Sequence, residues 1–384
     1  MQHMQVFEAI DKLTPHYIDV WTDICNIESP TKYKKGVDEV GEYFARFAAQ
    51  KGWQVEYSKQ EIAGDALCIT MNPDAKAQPI TLSGHMDTVY PQGAFGTPAV
   101  HRDEEKIYGP GVTDCKGGLV AALLAMDALD KCGYNSRPIQ LLLQSDEEVG
   151  SSLSRKATIN YICQKAKMSR AFLNLEGYTE GQACLQRKGI ITFAFKVTGV
   201  EAHASRCARL GANAIAEAAH KILEIEKIKD NEGLTCCCSI ISGGTTVNTV
   251  PNLCEFKVNV RFATAQQKDW ICAFMQELAD KTYIEGCRTT LTQDSFRVAM
   301  ELTDKNTNLL KEFNACLEKC GMAPLAAAKR IGGSDAADVT AAGIPCLDSL
   351  GVRGENIHSA NEFAYIESLA QSAKRIVSAA IYLD

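Results

Sequence analysis

The sequence predicts an α/β protein with a smaller ferredoxin-like β-α-β-β-α-β domain inserted into it. Three observations carry this. Short apolar runs alternate with amphipathic helical stretches in both the first and the last part of the chain. One run, Ile139–Gln144 (IQLLLQ), is almost continuously apolar, the mark of a strand covered on both faces of its sheet. From Gly189 the order changes to strand, helix, strand, strand, helix, strand. At 384 residues the chain is long for one core, so two domains are expected. The divisions fall at 1–188 with 300–384 for the larger domain, and 189–299 for the insert.

Taken in order, Phe7, Ile10 and Leu13, then Ile18, Trp21 and Cys25, recur at helical spacing. Ser29-Pro30-Thr31 marks a loop, and a second helical stretch from Val37 to Gln50 is stopped by Gly52. Trp53–Tyr57, Ala66–Met71 and Ile80–Leu82 read as strands, the last delivering His85 and Asp87 at its carboxyl end. Gly109-Pro110-Gly111 then brings Asp114 to the start of an apolar helix over 119–130. Ser145-Asp146-Glu147-Glu148 leaves the end of strand 139–144, and Glu176-Gly177 leaves the end of the apolar run Ala171–Leu175. In the insert, strands Ile190–Val197, Cys236–Ile241, Cys254–Phe262 and Thr289–Gln293 accompany helices Gly211–Ile228 and Asp269–Thr282. The α/β texture resumes with helix Asn306–Cys320, the loop 332–336 (GGSDA), strand Ile344–Asp348, the stretch Gly351–His358 and a closing helix Tyr365–Leu383.

Apolar residues make up 46% of the chain and charged ones 23%, ordinary for a soluble globular protein. A formal charge of -7 offers no basic face to nucleic acid or to an anionic membrane. No apolar run approaches the ~20 residues of a membrane span. The first residues, MQHMQVFEAIDKL, carry charges inside their periodicity and no small-residue cleavage site, so they read as a mature helix rather than a signal peptide. Sixteen cysteines are scattered without a CxxC pair, and free, mostly buried thiols are the expected state. Cys316 and Cys320, one helical turn apart, fit helix packing better than a metal. A cytoplasmic location follows from these readings.

Ligands of open α/β sheets gather at the carboxyl ends of strands. Here three such ends offer metal-competent side chains: His85, the Glu147-Glu148 pair and Glu176; Asp114 and His358 complete the set. A lone His-x-Asp or an acidic run is a weak signal, and only the joint pattern has weight. Five ligands, one of them an Asp able to bridge through its two oxygens, suit two zinc ions about 3.5–4 Å apart. Asp87 is placed to fix the imidazole of His85. Adjacent glutamates can splay in a loop, one onto metal and one onto water.

SGHMDTV, YGPGVTDCKGG, SDEEVGS, NLEG and NIHSANE resemble, in that order, the metal motifs of the co-catalytic zinc peptidase and deacylase family. That family includes glutamate carboxypeptidase, acetylornithine deacetylase, succinyl-diaminopimelate desuccinylase, aminoacylase and tripeptidase, and the likeness covers essentially the whole chain. It implies a zinc-peptidase-like three-layer catalytic domain whose insert is a lid and homodimerisation domain. It also implies two divalent metals, zinc with cobalt or manganese tolerated, held by His85, Asp114 (bridging), Glu148, Glu176 and His358. Glu147 then becomes the general base and Asp87 the residue orienting His85. Within the insert, GVEAHA is similar to a segment whose histidine, here His203, crosses the dimer to stabilise an oxyanion. TVNTVP, with Asn248, NVRF, with Arg261, and the GGSDA loop, with Gly333 and Ser334, resemble substrate-binding segments. Ser205 and Cys115 depart from the usual pattern, and neither removes a ligand.

Glu176 and the texture of FKVTGVEAHA and VNTVPN resemble the glutamate carboxypeptidase-like branch. The expected activity is hydrolysis of a peptide or N-acyl amino acid bond beside a free carboxylate, C-terminal glutamate among the products. An acetylornithine deacetylase or a succinyl-diaminopimelate desuccinylase is the alternative within the class. A catalytically silent metal-binding homologue is the alternative outside it.

Overall fold

Strand Ile80–His85 is buried at every position and has a parallel neighbour on each side, Ile139–Gln144 and Ala171–Asn174. The structure, a computed structural model that describes residues 2–384, extends this trio into a six-stranded sheet. Its order is Gln54–Ser58, Ala66–Met71, Ile139–Gln144, Ile80–His85, Ala171–Asn174, Cys346–Leu347. Ala66–Met71 alone runs against the others. Successive side chains of a strand point to opposite faces. Leu67, Ile69, Leu82, Leu141, Leu143 and Leu173 join the larger apolar cluster together with helices His3–Asn26, Lys116–Lys131 and Ser368–Tyr382. Cys68, Leu142 and Phe172 are equally buried but lie outside that cluster, where helix Ala157–Ala166 packs on strands 66–71 and 139–144. Both faces are covered, which is why the 139–144 run shows no polar alternation.

The helix expected over 119–130 begins earlier, at Lys116. Its two glycines are not breakers. A Cβ on Gly118 would lie 2.1 Å from the carbonyl oxygen of Leu175, so only glycine lets the first helical turn sit against the strand end that leads to Glu176. Helix Ala157–Ala166 has no counterpart in the sequence reading, nor has a small sheet ordered Gly354–Glu355, Phe363–Tyr365, Lys106–Tyr108, His101–Arg102. These strands are two or three residues long, too short to show a period.

The chain divides into two units. One takes the chain up to Leu185 with Leu302–Arg330 and Ser334–Asp384; the other takes Gln186–Glu301 with Ile331–Gly333. Ile331–Gly333, expected in the larger domain, group with the insert because Arg187 donates to the carbonyls of Gly332 and Gly333, and Arg261 to that of Ile331. In the second unit, four antiparallel strands lie in the order Thr235–Gly243, Leu253–Phe262, Gly189–Thr198, Arg288–Arg297, with helices Ala214–Ile225 and Ala265–Asp280. Cys254, Phe256, Val258, Val260 and Phe262 alternate into one apolar cluster with those helices. The opposite face carries ion pairs, Lys196 with Glu255 at 3.1 Å and Lys257 with Asp294 at 2.7 Å, beside exposed Ile240. Among the described residues no helix is long and apolar enough to cross a membrane, and the sixteen cysteines are free.

Candidate metal centre

His85 ends its strand 1 % exposed, with Nδ1 2.9 Å from the main-chain oxygen of Asp87. A carbonyl only accepts, so Nδ1 donates to it, and Nε2 faces the site interior, where a bound cation would take the place of its proton. There Nε2 meets Asp114 Oδ1 at 3.0 Å and Glu176 Oε1 at 3.7 Å. The second carboxylate oxygen of Asp114 faces another imidazole, His358 Nε2, at 3.0 Å, and His358 Nε2 lies 3.3 Å from Glu148 Oε2. Two nests of donors therefore share Asp114, one with His85 and Glu176, the other with His358 and Glu148. Donor atoms of His85, Asp114 and Glu148 lie within 4.8 Å of one another. His358 reaches in from a loop at φ 61°, a left-handed conformation that costs a non-glycine residue about 1 kcal/mol or more.

The electrostatics fit a cation. Burial works to raise the carboxyl of Asp114, but hydrogen bonds from His358 and His85 outweigh it and hold the group well below the usual carboxylate range. Glu148 is pushed up to about 7 by burial and by the charge of Asp114. His358 is raised to about 10 by its hydrogen bonds to Asp114 and Glu148. The raised values of Glu148 and His358 report carboxylates crowded out of water with too little positive charge among them, while Asp114 takes what the two imidazoles supply. Mixed imidazole and carboxylate donors of this kind suit zinc and similar divalent ions. Cys115 lies in the same sphere beside His85 and Glu176, but burial keeps its thiol protonated and it donates to the Leu175 carbonyl at 3.3 Å.

Asp87 is fully buried, and its carboxylate does more than the sequence suggested. Oδ1 stands 3.4 Å from His85 Nδ1, while the amides of Glu147 and Glu148 donate to Oδ1 and Oδ2 at 3.1 and 3.2 Å. The one side chain thus faces the His85 ring and fixes the short 3-10 turn Glu147–Val149 that presents both glutamates. Glu147 itself is 6 % exposed.

Glu362 closes the NIHSANE segment, and the sequence assigns it no role. Its carboxylate takes the amides of Thr113 at 2.9 Å, Asp114 at 3.0 Å and Gly111 at 3.3 Å, and the hydroxyl of Tyr90 at 2.8 Å. It clamps the glycine turn that carries Asp114, and burial together with Asp114 pushes it up to about 7. A tight turn leaves amides in need of an acceptor, which was a signal, but nothing local says which carboxylate arrives.

His203, Asn248, Arg261 and Gly333 belong to the second unit. Residues 202–203 pair with 249–250, which brings His203 and Asn248 together; the Ala204 amide donates to the Asn248 carbonyl at 2.9 Å. His203 Nδ1 accepts from the Ser205 amide, so the neutral ring carries its proton on Nε2, a donor on an exposed side chain. Half-buried Arg261 donates to Asn259 and lines a cavity of about 540 Å³ with Lys188, Asn231, Thr235, Ile331 and Gly332. Ser334 lies in the first unit, 2 % exposed; its hydroxyl oxygen accepts from Asn174 at 2.9 Å and from the Ala336 amide. That hydroxyl is committed inside the fold, whereas Gly332 is exposed and Gly333 half-buried.

Known proteins share this architecture. Carboxypeptidase G2 of Pseudomonas sp. (strain RS-16) is 26% identical over 99% of this chain and 91% of its own length. A probable succinyl-diaminopimelate desuccinylase of Staphylococcus aureus (strain MRSA252) is 27% identical over 60% of this chain and 64% of its own. The crystal structure of aminopeptidase PepT from Bacillus cereus ATCC 10987 superposes with a TM-score of 0.80 at 20% identity, covering 95% of this chain and 97% of that one. Residues 81–381 match the sequence model of peptidase family M20/M25/M40, and the chain belongs to that family, a metallohydrolase acting on amide bonds.

Proposed function

We propose that this hydrolase cuts an amide bond next to a free carboxylate and releases the carboxylate-bearing amino acid, C-terminal glutamate included. The observation that carries the reading is Asp114, whose two oxygens each face a different imidazole with a separate glutamate beside it. His85, Asp114 and Glu176 would hold one divalent cation, and His358, Asp114 and Glu148 a second, zinc with cobalt or manganese tolerated. Such a pair, when bound, polarises a carbonyl and lowers the pKa of a shared water.

The rest is work for side chains. Glu147 takes the proton of the attacking water and hands it to the leaving amine nitrogen. Asp87 holds Glu147 and Glu148 in register through their amides. His203, reaching over from a second copy of the chain, donates Nε2–H to the tetrahedral oxyanion. Arg261, with Asn248 and Gly333, receives the substrate carboxylate, for which a guanidinium offers two parallel donors. Ser334 keeps the Gly333 loop in place. Dimerisation through the insert is supported by the helix-free face of its sheet with Ile240 exposed, and sixteen free thiols favour a reducing compartment, the cytoplasm.

Amino-acid release from a panel of C-terminal Glu and Asp conjugates, N-acetylornithine, succinyl-diaminopimelate and ordinary dipeptides, with and without chelator, tests this. Chelator-sensitive release of a C-terminal acidic residue is expected. Turnover confined to the acetyl or succinyl compound would replace it with the deacylase reading. Metal-loaded protein inactive on every compound would favour the silent homologue. Separately, His203→Ala is expected to lower kcat by about 10²–10³-fold, as loss of one oxyanion donor does, with the dimer intact by sedimentation. An unchanged kcat would remove His203 from the chemistry.

A further inference from the structure

Thr31 is 5 % exposed, and its hydroxyl donates to Asp87 Oδ2 at 2.7 Å, closer than either the Glu147 or the Glu148 amide approaches that carboxylate. The segment bearing it is strapped to the end of the His85 strand. Ser29 Oγ donates to the Met86 carbonyl at 2.7 Å, the Thr88 amide to the Ser29 carbonyl at 2.9 Å, and the Thr31 amide to the Thr88 carbonyl at 3.2 Å. From the other side, the buried ammonium of Lys116, next but one to Asp114, donates to the Ile27 carbonyl at 2.7 Å. Residues 27–31 lie ahead of the family match, which begins at 81, and are nevertheless bonded to both ligand-bearing segments.

Without the Thr31 hydroxyl, Asp87 Oδ2 would keep the Glu148 amide alone among these donors. A buried carboxylate short of donors turns toward whatever remains, and the groups that depend on it turn as well. Those groups are the His85 ring and the Glu147–Glu148 turn. We propose that Thr31 is a positioning residue of the catalytic centre, setting through Asp87 the direction of the His85 ring and the placement of Glu147 and Glu148. The inference rests on the two-metal reading above.

Thr31→Val exchanges the hydroxyl for a methyl of equal size, and Thr31→Ser keeps the donor while removing the methyl. In the full-length, zinc-loaded protein, Thr31→Val is expected to lower kcat on a C-terminal glutamate conjugate by about 10–100-fold, the usual effect of losing an outer hydrogen-bond partner of a metal site. KM should stay within about twofold. Zinc alone, titrated against a competing chelator, should bind more weakly, and the visible spectrum of the cobalt-loaded protein should shift. Thr31→Ser should restore all three readouts to within a few-fold of the parent. Wild-type kcat, zinc affinity and cobalt spectrum in Thr31→Val would overturn the proposal. So would a Thr31→Ser protein as impaired as Thr31→Val with the same fall in metal-free Tm, since packing would then explain both. The parent reading fails on other grounds, through an active Glu147→Gln, and the zinc and cobalt readouts of Thr31→Val need no substrate.

Discussion

Glu147→Gln is expected to bind its metals as the parent does and to lose about 10³–10⁴-fold in kcat, near the upper limit of what a positioned base contributes. The substitution is nearly isosteric, so the buried site need not repack. The turn should survive, because Asp87 grips it through the main-chain amides of Glu147 and Glu148 rather than through their side chains. What is lost is the ability to take a proton. Metal content measured alongside kcat separates this from damage to the site, and Glu148→Gln is the internal comparison. Glu148 Oε2 lies 3.3 Å from His358 within one donor nest, so its loss should weaken metal binding itself. Turnover close to the parent in Glu147→Gln would exclude it as the base. A loss of metal in Glu147→Gln as large as in Glu148→Gln would erase the division of labour between the neighbours.

Much of this arrangement was legible because it is written locally. IQLLLQ names a strand covered on both faces, and the residues that follow such strands stand at the sheet's carboxyl edge whatever else the chain does. His85, Glu148 and Glu176 follow from that logic, with Asp114 marked by its glycine turn. Contacts made across long separations were not legible. Glu362 reaches the Asp114 amide over 248 residues, and Thr31 reaches Asp87 over 56. Neither stands in a periodic stretch, and a hydroxyl in a Ser-Pro-Thr loop reads equally well as a solvated turn. Ser334 belongs with these long-range contacts: buried, its hydroxyl oxygen accepts from Asn174, 160 residues away, and from the Ala336 amide, a tie that the GGSDA segment by itself does not announce.

Asp114→Asn should have the other large effect, and it should appear in the metal content before the kinetics. The two oxygens of Asp114 stand in different nests, 3.0 Å from His85 and 3.0 Å from His358. An asparagine can offer an oxygen to one nest only. Its amide NH₂ must then face the other, where a donor meets either a cation or another donor. Relief by backbone movement is restricted, because Glu362 holds the amides of Thr113 and Asp114. One metal or none per chain is therefore expected, with kcat reduced by at least about 10³-fold if the two ions act as one clamp. Thermal unfolding supplies a reading independent of catalysis. Zinc at 100 times its dissociation constant stabilises a one-site protein by about 2.7 kcal/mol, so the parent should gain clearly in Tm when zinc is added. The variant should gain much less, while the two metal-free proteins melt closer together. Two tightly bound metals and a parent-like zinc response in Asp114→Asn would mean that the paired nests do not share their ions through this carboxylate, and the two-metal assignment would have to be rebuilt around Glu148 and Glu176.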